Sequence, residues 1–508
     1  MASDQPVCVV EYNVYKYERV SETLPTGKTE KVLRQTELVS TVDILDVERV
    51  TVTQNMGSGA DDFSIELNNE GGQYTDRFLP FQEIVVYIGF PNDINNIKKG
   101  ELAKVIVGLI DDAEPTYSKS NGSKLMLNGR NYAALLLDNK VTDNFKKMTA
   151  TQIVETLVKK YGLGLDATIS KTKVVYNKTI RTNNPNALQA MVGKPGMDAN
   201  FEQTPEIKSA IDLFNPRAAT APGPDDSVFK NKSAWEVIEA LAYMEASVDP
   251  ESENRELISY FDGKVFYFGP RRNVETDPTK MFQLTVGENV EAYTFRMSSQ
   301  FIHTRIRMVT RKMKNFQVQK EPYVVLIPDD LKAPSDLSES ELSTFLAFQG
   351  VYGIREMSIL DRDQQWGGDI KKLKRVGIAK LKEFTRLAFT GDIKFVYVTA
   401  NGNSAISLLN KDRAVFINGI PAVDGLPNAE FDEAQSERFN GIFYIEKCVH
   451  NFTKGEGYKV NLSVSSRKPE RSRALSNLTI TPSNIVTRKT TTTQVEDPYD
   501  KDESLLKD

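Results

Sequence analysis

The sequence predicts an α+β, β-rich fold, in which two strand-rich regions flank a mixed α+β insertion. Three observations predict it. Short apolar or alternating segments recur between Gly-rich turns through residue 146; capped helices begin only at Thr149; and clean alternation returns from Ile393 to Val464.

In the first region, Val7 to Tyr15 and Val47 to Thr53 have strand composition. Phe63 to Leu67 alternates, with Phe63, Ile65 and Leu67 on one face and Ser64 and Glu66 on the other, the pattern of a half-buried antiparallel strand. Gly57 and Gly59 mark the turn before it, and Gly71 and Gly72 the turn after. Glu83 to Phe90 and Lys104 to Ile110 are nearly continuous apolar runs that read as buried strands. Asp111 to Asn121 is polar and contains Pro115, so it reads as a turn, and Leu125 to Leu127 starts the next strand. Gly129 is placed where a residue lacking Cβ could take positive φ, and Ala133 to Leu137 is too apolar to be exposed. Several short strands with Gly-rich turns predict a small barrel or sandwich.

Thr149 and Gln152 form a capping-box pattern ahead of Ile153, Val154, Leu157 and Tyr161, with Gly162 as the stop. Ser233 and Glu236 repeat it, and Trp235, Ile238, Leu241 and Ala242 share one face, which makes Trp235 a core anchor. Ser170 to Asn231 is polar and reads as a long exposed excursion. Asp262-Gly263 between ISYF and KVFY predicts a hairpin. Phe282 to Val290 and Phe301 to Thr310 read as strands, and Ile370 to Phe389 as a helix whose Lys and Arg residues form a solvated face, with a partner-binding face as the alternative. Ile393 to Thr399, Ala414 to Asn418, Gly441 to His450 and Tyr458 to Val464 complete the second strand-rich region. Beyond Arg467 the sparse apolar residues and the acidic DPYDKDES predict an extended or disordered tail.

The chain has 508 residues, 40% hydrophobic and 26% charged, with a net charge of −5, values ordinary for a globular protein of about three domains. The net charge of −5 argues against nonspecific nucleic-acid binding, which would need a clustered positive field, and no apolar run is long enough to span a membrane. The N-terminus has no basic-then-apolar signal pattern, so residence in a cytoplasm is the default expectation. Cys8 and Cys448 are the only cysteines, which excludes a disulfide framework and a four-cysteine zinc site; both read as buried small hydrophobes.

Catalytic patterns are missing. His303 and His450 lie in strands and read as structural; no H-E-x-x-H or G-x-S-x-G occurs. Thr26-Gly27-Lys28-Thr29 ends like a phosphate-binding loop, but Glu22 stands where its first glycine belongs. The carboxylate pairs Asp111-Asp112, Asp361 with Asp363, and Glu236 with Glu239 are accounted for by turns and caps or by chance. No catalytic, cofactor-binding or metal-ligating residue is assigned, and the chain is expected not to be an enzyme.

The order of these signals resembles baseplate hub proteins of contractile phage tails and related injection systems, the late control protein D-like family. The resemblance runs over most of Val47 to Arg467: FSIELNN, EIVVYIGF, LIDDAEPTYSKSNGSKLMLNGRNYAALLLDNKV, the helix after Thr149, SAWEVIEALA, the Asp-Gly hairpin, VGENVEAYTF, and FNGIFYIEKCVHNFTKGEGYKVNLSVSSR. Asn131 stands where the family has an acid in its Gly-Arg-Asp step, which puts a salt bridge from that position in doubt. The resemblance implies a first tail-tube-like β-barrel in 1–146, a mixed α+β domain in 147–283, a second barrel with a helical insertion in 284–466, and an extended tail in 467–508. It implies a homotrimer that joins a hexameric tail tube protein to a trimeric central spike protein and meets baseplate wedge and tape-measure proteins. DNA would pass through its lumen without specific binding, repelled by lumen acids. The implied location is the virion tail baseplate, assembled in the host cytoplasm without membrane insertion. A tail-associated cell-wall-degrading enzyme and the tip hub of a noncontractile tail stay open as alternatives.

Overall fold

The computed structural model describes residues 5–56, 59–120, 122–141, 145, 148–172, 175–176, 232–244, 257–271, 280–297, 302–314, 317–361, 370–387, 389–397, 403–418 and 441–466. The fold is α+β and strand-dominated. In order the first elements are β1 (Val7–Thr23), β2 (Thr29–Ile44), β3 (Val47–Asn55), β4 (Asp62–Asn68), β5 (Glu83–Gly89), β6 (Ala103–Ser118), β7 (Gly122–Asn131), α1 (Ala133–Asp138), β8 (Lys140–Val141), β9 (Met148–Thr149) and α2 (Ala150–Tyr161). Then come β10 (Ala167–Ile169), β11 (Val175–Tyr176), β12 (Lys232–Ser233), α3 (Ala234–Met244), β13 (Leu257–Asp262), β14 (Val265–Pro270), β15 (Phe282–Thr285) and β16 (Val290–Met297). The remainder is β17 (Arg305–Lys314), β18 (Gln317–Ile327), α4 (Glu339–Tyr352), β19 (Glu356–Asp361), α5 (Ile370–Leu387), β20 (Phe389–Val396), α6 (Asn403–Ile406), β21 (Ala414–Asn418), β22 (Gly441–Thr453) and β23 (Gly457–Ser466).

Both strand-rich regions enter one 13-stranded sheet, ordered β16-β20-β23-β22-β3-β4-β7-β6-β5-β1-β2, with β21 on β22 and β15 on β21. The family resemblance implies two barrels; among the described residues the ladder runs through both regions and closes neither into a ring. The seam is β22. Its first residues, Gly441 to Tyr444, pair with β21, and after a register shift at Ile445/Lys447 its residues Lys447 to Thr453 pair with β3. A shift of this kind turns a strand and lets it serve two neighbours on one side. The main core accordingly mixes Val50, Phe63, Ile65 and Ile84 with Phe395, Tyr458, Val460 and Leu462.

A second core holds α1, α2, α3 and the β13–β14 hairpin, with Trp235, Leu157, Phe266 and Phe268 buried together. The caps form as their spacing predicts. Thr149 accepts from the Gln152 amide while Gln152 reaches back to the Thr149 amide, and Ser233 and Glu236 exchange the same pair of bonds. Trp235 is buried and donates its indole N–H to Glu239. A third core lies between β17, β18, β19, α4 and α5, which are inserted in the chain between the neighbouring strands β16 and β20.

Several expectations change. β6 does not break at Asp111: it continues to Ser118 and pairs with β7 to the end, Pro115 opposite Leu125. Its polar composition reflects exposure, and the bulge at Ile110/Asp112 turns it out of the core. Gly129 is needed for space rather than for positive φ. A Cβ there would come 2.1 Å from the Leu109 carbonyl oxygen and 2.4 Å from Phe63 Cζ. Gly162 caps α2 at φ −86, and the left-handed residues are Leu163 and Gly164 just after it. The Ile370 helix ends at Leu387, and Phe389 and Gly391 belong to β20. The expected excursion beyond Tyr176 and the tail after Ser466 lie outside the described residues, as does Asp363.

Candidate assembly surface

The main path of the sheet has two ends, and β15, at the end of the β21 branch, is a third terminal strand. Among the described residues β2 pairs only with β1, and β16 ladders only with β20. β1 pairs with β5 over Val7 to Asn13 alone but with β2 from Val10 to Thr23, so the outer half of the β1–β2 hairpin is a ribbon that outruns the sheet. One side of this ribbon is held by α2: Arg34 Nη1 donates to the Lys159 carbonyl at 2.7 Å, Lys160 pairs with Glu30 at 3.0 Å, and the Gln35 amide donates to the Leu163 carbonyl. The rest is open. Every residue of β2 from Thr36 to Asp43 is exposed, with Leu38 at 48%, Val39 at 62% and Val42 at 41%. A strand with one open edge and three exposed aliphatic residues is a template for another chain.

Beside this edge lies a groove of about 270 Å³ lined by Tyr12, Val14, Ser40, Val42, Ile44, Tyr74, Arg77 and Phe78. Its floor is aromatic, with Tyr12 and Phe78 edge to face at 4.9 Å. Asp46 accepts from the Tyr74 hydroxyl at 2.6 Å, and burial followed by that bond pushes the Tyr74 pKa up to about 12. At the opposite end of the sheet, Glu291 to Thr294 of β16 are exposed, Tyr293 among them, and Glu291 is held below the ordinary carboxylate range by hydrogen bonds from Lys459 and Lys394.

The two regions are tied behind these edges by buried polar groups. Lys411, next to β21, donates to both oxygens of Asp61, between β3 and β4, at 2.6 and 2.7 Å. Asn131 completes the Asp61 shell. Its Nδ2 donates at 2.7 Å and its Oδ1 accepts from the Ala133 amide. An amide suits this position because an acid would set a second carboxylate against Asp61. Burial holds the Asp61 pKa above its ordinary value, against the pull of Lys411. Arg130 next door faces outward and bridges Asp111 and Asp138, whose hydrogen bonds raise its pKa.

His450 is also part of this joint. Its Nδ1 lies 2.5 Å from the Tyr458 hydroxyl, and its Nε2 lies 3.2 Å from Cys448 Sγ and 3.4 Å from Gln54 Oε1, so the ring links β22, β23 and β3. Burial pushes its pKa down to about 4 and both thiols up. His303 packs edge to face on Phe384 at 4.9 Å. Each described carboxylate has a structural partner: Asp111 serves Arg130, Glu236 caps α3, and Glu239 holds Trp235. Thr26-Gly27-Lys28 is the tip of the β1–β2 hairpin, with Gly27 at φ 79. Among the described residues no group of three or more His, Cys, Asp or Glu could hold a metal ion, and no helix is long and apolar enough to cross a membrane. The Asp61–Lys411 pair has no local sequence signal, since 350 positions separate its members.

No protein-family model matches the chain, and no curated protein matches it. Among solved structures it is similar to a tail protein of Neisseria meningitidis, at 12% identity over 91% of this chain and 97% of that one, with a TM-score of 0.49. A 43 kDa tail protein of prophage MuSo2 from Shewanella oneidensis is 14% identical over 92% of this chain and 99% of that one, with a TM-score of 0.47. Prophage tail protein gp18 of Listeria monocytogenes is 10% identical over 93% and 98%, with a TM-score of 0.42.

Proposed function

We propose that this chain is a structural hub of a contractile tail, non-enzymatic, which joins a hexameric tail tube to a trimeric central spike as a homotrimer. The observation that carries the reading is the continuous sheet with a free strand at each end, β2 and β16. Two different free edges on one subunit suit head-to-tail association, and such association covers both β2 and β16 once the ring closes. The ordered sequence resemblance from Val47 to Arg467 supports the same reading. In it, 1–146 and 284–466 act as the tube-like halves, so that three chains offer six similar units to the tube and a threefold face to the spike. The buried Asp61–Lys411 joint keeps the halves in one orientation, which a symmetry adaptor requires. Tape-measure and wedge proteins would meet this ring, and DNA would cross its lumen.

Mass photometry of the purified chain, with and without its spike partner, tests the assembly. A trimer, or a trimer formed on adding the spike, is the expected result, and a strict monomer in both samples overturns the hub. Zymography on peptidoglycan tests the absence of enzymatic work: clearing that disappears when a carboxylate pair is replaced would overturn it.

A further inference from the structure

We propose that Lys411 and Asn131 join through a side-chain amide bond, an intramolecular isopeptide for which Asp61 carries the protons and the Asn131 side-chain nitrogen leaves as ammonium. Lys411 Nζ donates to Asp61 Oδ1 at 2.6 Å and to Oδ2 at 2.7 Å, and Asn131 Nδ2 donates to the same Oδ2 at 2.7 Å. Two donors on one oxygen lie no farther apart than the two bonds laid end to end. Amine and carboxamide are therefore neighbours with a proton carrier between them. The carbonyl is prepared as well: Asn131 Oδ1 accepts from the Ala133 amide at 3.1 Å, a donor aimed at the oxygen on which negative charge develops when Cγ is attacked.

The parts are fixed before they react. The Asn55 amide donates to Asp61 Oδ1 at 3.1 Å, and the Asn131 backbone amide donates to the Asp61 carbonyl at 2.8 Å. Such positioning lowers the entropic barrier to bond formation. Lys411, Asp61 and Asn131 are all buried, so bulk water is kept from competing with the amine. The same burial raises the Asp61 pKa above its ordinary value, which helps it to take a proton. In the reaction, Asp61 accepts a proton from the Lys411 ammonium, and the free amine attacks Asn131 Cγ. The Asp61 acid then protonates Nδ2, and the Cγ–Nδ2 bond breaks as the Cγ–Nζ amide forms. The second proton shed by Nζ passes through Asp61 to the departing ammonia. One ammonium leaves, the carboxylate is restored, and no oxidant or cofactor takes part. The product ties the end of β7 to the loop before β21, across the two strand-rich regions.

Mass spectrometry of the purified full chain, denatured, tests the bond. An intact mass about 17 Da below that of the sequence, one ammonia, is expected. Tryptic digestion should then yield a branched peptide that joins Asn131 to Lys411 and lacks cleavage after Lys411. A full mass with both residues unmodified would overturn the proposal. So would the same deficit without the branch, as a cyclic imide at Asn128-Gly129 would give. Lys411→Arg keeps a cation beside Asp61 but supplies no nucleophile, so it should fold by circular dichroism and show its full mass. Asp61→Asn cannot carry the proton, and its branched fraction should fall on the order of tenfold or more. A deficit kept by Lys411→Arg, or a branch as abundant in Asp61→Asn as in the natural sequence, would also overturn the proposal. Should either variant fail to fold, the peptide map of the natural sequence decides alone.

Discussion

Lys411 and Asp61 form a buried ion pair, 2% and 5% exposed, that joins the loop before β21 to the loop after β3. Lys411 Nζ also lies 5.6 Å from the Tyr260 ring, and the neighbouring Asp412 accepts from the Tyr260 hydroxyl at 3.1 Å. One dipeptide thus meets both strand-rich regions and the mixed α+β hairpin. Lys411→Met leaves Asp61 charged and buried, and it should cost about 3–5 kcal/mol. The double variant with Asp61→Leu should recover part of that loss, because no uncompensated charge is left. Urea midpoints of the three proteins check the order.

His450 predicts an acid-sensitive joint. Its folded pKa, about 4, lies below the ordinary histidine value of 6.5, so the unfolded chain binds the extra proton first as pH falls. The stability it contributes is complete above pH ~6.5 and is lost progressively toward pH ~4, on the order of 3 kcal/mol in all. His450→Gln should flatten the melting temperature against pH within that window. An unchanged profile would count against the linkage.

Gly129→Ala should destabilise the first region by about 2–3 kcal/mol, because the methyl meets the Leu109 carbonyl and the Phe63 ring, and moving either strand breaks the β6–β7 ladder. Adding Phe63→Leu should relieve only the ring contact. Thermal melts of the single and double variants separate the two contributions.

Val39→Lys with Val42→Lys should prevent self-association while leaving the monomer's stability within about 0.5 kcal/mol, since both residues are exposed on β2. Paired measurements of mass and melting temperature check it. Loss of folding along with assembly would mean that the edge serves the subunit itself.

Local pattern was legible where one face is buried and the other wet. Phe63, Ile65 and Leu67 alternate inward, as do Tyr458, Val460, Leu462 and Val464, and the Thr149 and Ser233 caps rest on spacing alone. The ribbon of β2 was not legible. From Thr36 to Asp43 it has no buried face, so burial imposed no period on its sequence. β6 beyond Asp111 has the composition of a turn for the same reason.

What the sequence by itself determined is therefore the set of elements that bury one side: the α+β class, the capped helices, the Asp-Gly hairpin, and the core placement of Trp235 and both cysteines. Only the tertiary structure decided that the two strand-rich regions share one sheet, that β22 turns from β21 to β3, and that Asp61 receives Lys411. Those outcomes depend on which unpaired edge and which buried charge meet across hundreds of residues, and periodicity records the burial of a side chain but not the identity of its partner.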